Sequence, residues 1–163
     1  MGQTVQALIE HRLTPDEILK LPESLQDSSN SIIAGQWNWI VPNINATTLV
    51  NLWTRKAEYF ISNSWSEKDL ALLRNDNMTL HFYNSNLVTF DNSISWNTYN
   101  EDENLCKDFN YLTKEMSTLL NALDIIIVPE LSRVPFFDEE KDLTVNAYRQ
   151  KAKNNKMYAI EFE

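Results

Sequence analysis

The chain has 163 residues, with 23 Asp and Glu against 14 Lys and Arg, and a formal net charge of −9 with both histidines neutral. A chain of about 150 residues can bury roughly 70% of its unfolded surface, so one compact domain is expected. Hydrophobic residues make up 43%, including 5 Trp, 6 Tyr and 7 Phe, while only 2 Gly and 1 Cys occur; this excludes disorder over most of the chain, Gly-rich phosphate loops, cysteine-pair zinc sites and intramolecular disulfides.

Val5, Ala7 and Ile9 alternate with Gln6 and Glu10, which predicts a strand over residues 4–12. Thr14-Pro15-Asp16-Glu17 then supplies a capping hydroxyl, a proline where no amide is needed, and a carboxylate able to reach back to the cap, so a short helix begins there. Pro22 ends or kinks it, and residues 26–31 read as a loop. The stretch from Ile32 to Pro42 fits a strand or an ordered loop equally well. Thr47 or Thr48 can cap an amphipathic helix over 47–62, with Leu49, Trp53, Ala57, Phe60 and Ile61 near one face. A second short helix is expected from Ser66, carrying Leu70 and Leu73.

A hairpin follows, in which Leu80 and Phe82 alternate with Thr79, His81 and Tyr83 before Asn84-Ser85-Asn86 turns the chain into Leu87 to Phe90. Leu105, Phe109, Leu112, Met116, Leu119 and Leu123 keep helical spacing, predicting one long core-facing helix over 98–123. Ile125 to Val128 is apolar without alternation, as expected of a central strand covered on both faces. A helix from Asp138 to Asn154 and a closing strand from Met157 to Phe162 complete the chain. The expected fold class is α+β, or mixed α/β: one domain over 1–163 with a small mixed sheet of about 4–5 strands, a β-hairpin and a long packed helix.

The opening Met1-Gly2-Gln3-Thr4-Val5-Gln6 has neither a basic segment nor an apolar stretch behind it, and the longest apolar run is far shorter than the about 20 residues of a membrane span. A cytoplasmic protein without membrane association is therefore expected, with Cys106 an unreactive thiol.

The most promising place for chemistry is the segment after the expected central strand. Glu130 and Arg133 would stand at a strand's carboxyl end, where ligands collect in sheets with crossover helices. That pair could orient a polar ligand, and Asp138, Glu139 and Glu140 could attract a cation, although acidic residues are also favoured in a helix's first turn by its dipole. His11 and His81 are the two histidines, and no nucleophile elbow or His-Glu-x-x-His pattern surrounds either one. Neither a metal nor another cofactor is expected. Trp37 and Trp39, two apart, would share a strand face and could anchor a protein partner if exposed.

Both halves of the chain are net negative, which argues against nucleic acid, since phosphate contacts rest on Lys and Arg. The basic group Arg149, Lys151, Lys153 and Lys156 fits the end of a helix, where it complements the dipole. Two functional expectations result. The first is a small acidic protein-binding module, immunity-protein-like or an adaptor, that occludes or scaffolds a protein partner, which its charge suggests is basic. The second is a small carboxylate- and histidine-dependent hydrolase or transferase with its site near residues 130–140.

Overall fold

Alternation along β1 (Val5–Glu10) places Val5, Ala7 and Ile9 on one side and Gln6 and Leu8 on the other, and both sets are buried. A strand buried on both sides lies inside a sheet with layers above and below it. β1 pairs antiparallel with β5 (Leu87–Asp91) along one edge and with β6 (Asp124–Pro129) along the other. A computed structural model shows this arrangement, describing residues 3–62, 66–130, 144–154 and 158–162, with 55–62 as backbone only.

The remaining strands are β2 (Asn38–Trp39), β3 (Leu72–Arg74), β4 (Thr79–Phe82) and β7 (Ile160–Glu161). They complete a 7-stranded sheet in the order β2-β3-β4-β5-β1-β6-β7, and every pairing among the described residues is antiparallel. The architecture is α+β, and the expected mixed sheet of about 4–5 strands is corrected on both counts. β2 and β7 have two residues each and β3 three, too few for a period-2 pattern to stand out from loop. β6 is covered on both faces as its sequence suggests, yet it is sixth in order, and β5 holds the centre.

Helices cover both faces. One face receives α1 (Pro15–Leu19), α2 (Leu21–Gln26), α3 (Ala46–Ser62), α4 (Trp96–Glu101) and α5 (Glu103–Leu119), whose Ile18, Leu21, Leu25, Leu49, Tyr99, Phe109 and Met116 join Val5, Ala7, Ile9, Leu80, Phe82 and Phe90. The other face receives α6 (Val145–Asn154), whose Val145, Tyr148 and Ala152 pack on Leu8, Leu72, Leu87, Ile126 and Val128. Among the described residues no helix is long and apolar enough to cross a membrane.

Local signals behave largely as the sequence suggests. Thr14 Oγ1 accepts the Glu17 N–H at 3.2 Å and Glu17 Oε1 accepts the Thr14 N–H at 3.0 Å, completing the capping box. Pro22 does not merely kink that helix: α1 ends at Leu19, and Pro22 sits in the first turn of α2, where a missing amide costs nothing. Asn45, not a threonine, caps α3, its Oδ1 accepting the Thr48 N–H at 2.9 Å. The segment after Ser66 is a single 3₁₀ turn over Glu67–Asp69, and Leu73 belongs to β3. The expected long helix breaks at Asp102, whose extended backbone (φ −108°, ψ 104°) and carboxylate start α5 afresh. It stops at Leu119, before Asn121 takes a left-handed φ of 52°, so Leu123 leaves the apolar stripe and is exposed.

The C-terminal elements are held by charge. Arg149 on α6 bonds Asp124 Oδ1 and Oδ2 at 2.9 and 3.1 Å and Glu161 Oε1 and Oε2 at 2.9 and 2.7 Å, joining α6 to β6 and β7. It does not serve the helix end as its sequence position suggests; a guanidinium's planar fork is what can grip two carboxylates at once. Arg149→Met keeps the length and removes the fork. The expected result is a loss of about 1–2 kcal/mol in urea unfolding, with amide exchange accelerated at Ile160 before it is at Leu8.

Candidate functional site

The α6 face of the sheet is not uniformly apolar. Its apolar half, Leu8, Leu72, Leu87, Ile126 and Val128, lies under α6. Beyond it, the same alternation that buries those residues brings Gln6 of β1, His81 of β4, and Thr89 and Asp91 of β5 to this face. Pairing sets Thr89 opposite His81 and Asp91 opposite Thr79. Glu130 follows β6 directly; its N–H donates to the Thr4 carbonyl at 2.6 Å, and its charge reaches Asp91 and Tyr83 at this polar end.

The floor is aromatic. His81 lies over Tyr83 with ring centroids 3.8 Å apart and planes at 31°. Burial pushes the Tyr83 hydroxyl well above its usual range; Thr89 opposes the shift, and the charges of Glu130, Asp91 and Tyr148 reinforce it. Burial also pushes the Tyr148 hydroxyl up to about 12. Both phenols stay neutral at any physiological pH and can donate hydrogen bonds.

Asp91 sets the electrostatics. Its half-buried carboxyl is held above the ordinary carboxylate range, first by burial and then by the negative charge of Glu130. The Ser93 N–H at 3.3 Å, the Arg74 charge and the Gln6 side chain oppose that shift without overcoming it. Arg74 cannot fully neutralise the pair, because its Nη1 and Nη2 already bind Glu67 at 3.1 and 3.2 Å. Two carboxylates beside an aromatic pair, with the described cation that acts on Asp91 also engaged by Glu67, form a place where an arriving positive charge would be stabilised.

Of the residues singled out in the sequence, Glu130 lies in this cluster. Arg133, Asp138, Glu139 and Glu140 lie outside the described residues. The reason for looking at Glu130 changes, since an antiparallel sheet has no switch-point crevice at its strand ends. Trp37 and Trp39 are not an exposed pair. Trp37 is 3% exposed and its Nε1–H donates to the Ile33 carbonyl at 2.9 Å, because it precedes β2 and turns inward with the loop. Trp39 is half-buried, 5.7 Å from the Phe82 ring. His11 is fully buried on the opposite face. Cys106 lies on α5, where its Sγ accepts from Asn110 Nδ2 at 3.6 Å.

Asp91, Gln6, Thr89, Tyr83 and Tyr148 were not singled out in the sequence. For Gln6, Thr89 and Asp91 the only sequence signal is a polar side chain in an otherwise apolar strand, which has no meaning until strand pairing puts them side by side; Tyr83 and Tyr148 read as ordinary core aromatics. Among the described residues, no group of three His, Cys, Asp or Glu is placed to hold a metal ion. No known family, curated protein or solved structure matches this chain.

A carboxyl whose pKa is raised by folding favours the folded state below its unfolded pKa and works against it once ionised. Asp91→Asn, which retains an acceptor oxygen, is expected to raise the urea midpoint at pH 7. That gain shrinks as pH falls through the range where the wild-type carboxyl takes up its proton, and paired denaturation curves along a pH series measure it.

Proposed function

We propose that this protein is a small acidic binding module whose polar sheet end receives a basic side chain of a protein partner, acting by occlusion or as a scaffold. The carrying observation is the pair of carboxylates, Asp91 and Glu130, whose negative charge Arg74 only partly offsets, beside the closely packed rings of His81 and Tyr83. A guanidinium or ammonium arriving there meets the charge of both carboxylates, and it favours the ionised form of Asp91, which burial first and Glu130 second hold toward protonation. The net charge of −9 draws a basic partner in from a distance but does not locate its footprint. The polar end supplies the location.

A second reading has one observation in its favour. His81 shares the face with a carboxyl held above its ordinary range, which is the makings of an acid–base pair for a hydrolase or transferase.

The test is a titration of isotope-labelled protein with a short peptide carrying Arg and Lys, followed by amide shifts. Shifts are expected to centre on Gln6, His81, Thr89, Asp91 and Glu130. Affinity should fall about five- to tenfold in the Asp91→Asn, Glu130→Gln double variant and weaken with salt. Shifts spread equally over the exposed carboxylates Glu101, Asp102 and Glu103 would overturn the assignment. An activity abolished by His81→Gln while peptide binding persists would move the assignment to the enzyme reading.

A further inference from the structure

His11 is the one described side chain that is titratable near neutral pH and fully enclosed, at 0% exposure. It stands immediately after β1, where the chain leaves the sheet for α1. Its own N–H donates to the Asn86 carbonyl at 2.8 Å, the last tie to the hairpin. Its Nδ1 accepts the Leu13 N–H at 3.0 Å. An accepting Nδ1 bears no proton, so the neutral ring carries its proton on Nε2. That atom is buried without a hydrogen-bond partner, and the ring meets Phe82 edge to face at 5.9 Å.

We propose that His11 is a proton-sensitive latch on the α1–α2 cover: the cover stays docked while the imidazole is neutral and comes away from the sheet when the ring takes up a proton. A second proton can only go to Nδ1, where it would set two N–H donors facing each other across 3.0 Å. It would also leave a full positive charge among apolar neighbours. Among the described residues, the groups facing the ring are Phe82 from β4, the Asn86 backbone from the hairpin turn and the Leu13 backbone leading into α1. Among the described residues no carboxylate, lysine or arginine shifts the ring; burial lowers its pKa from 6.5 to about 4.

The Leu13 N–H held by Nδ1 belongs to the segment leading into α1, so release of the short helices α1 and α2 breaks that bond and uncovers Nδ1. β1 is paired on both edges up to Glu10, whereas α1 and α2 have only 5 and 6 residues. Helices that short do not persist alone, so they stay helical only while Ile18, Leu21 and Leu25 are docked.

Amide exchange on the intact chain tests the latch. With a pKa of about 4 docked and 6.5 released, opening that exposes the ring becomes about 70-fold more favourable between about pH 7.5 and pH 4.5. Protection factors at Leu13, Ile18 and Asp27 should fall by that amount and, at the lower pH, lie below those of Leu8 and Ile127. His11→Asn keeps an acceptor for the Leu13 N–H and cannot titrate, so its cover should lose little protection. Equal protection of cover and sheet amides at the lower pH, or an equal fall in His11→Asn, would overturn the latch. Should that variant fail to fold, the wild-type imidazole resonances decide. A neutral Nε2–H ring down to about pH 5 supports the latch, and a ring titrating near its free value with the cover still protected sinks it.

Discussion

The structure depends on β1 being buried on both faces and paired along both edges. Val5, Ala7 and Ile9 form part of the core beneath five helices, while Leu8 forms part of the core beneath α6. Its two neighbours, β5 and β6, come from distant parts of the chain, so β1 fixes the register of both. The strand's ends are used as well. Glu10 Oε1 accepts the Val145 N–H at 3.0 Å, so the end of β1 caps the helix on one face. The next residue, His11, closes over the start of α1 on the other. A single strand thereby ties together both helical layers and holds Gln6 beside Asp91.

Charge is treated in two opposite ways in this fold. At the C-terminal corner Arg149 satisfies Asp124 and Glu161 with four short contacts, and that corner is closed by them. At the polar end of the same sheet face Asp91 and Glu130 stand near each other, and Arg74, the described cation that acts on Asp91, is also held by Glu67. Burying a carboxyl next to a second negative charge opposes folding. This end therefore carries an electrostatic cost that the exposed acids of α5 do not.

The two histidines show how place decides chemistry. His81 lies on a sheet face among polar groups and against a phenol. His11, one residue beyond the end of β1, packs against Phe82 and serves the backbone of Leu13. In the sequence both are a lone histidine in a strand-like segment, and nothing local separates them.

What the sequence determined by itself is what depends on residues a few positions apart. The Thr14–Glu17 capping box, the Asn84 side chain accepting the Asn86 and Leu87 N–H groups in the hairpin turn, and the Phe109, Leu112, Met116 stripe all span short stretches. The hydrophobic run of β6 announced a strand covered twice for the same reason. Tertiary structure alone decided the strand order, the two-residue strands β2 and β7, the inward turn of Trp37 and the meeting of Asp91 with Glu130. Each of these is a choice of partner across tens of residues. Such choices are settled by which faces can be buried together, a competition among all the elements that no local window of sequence contains.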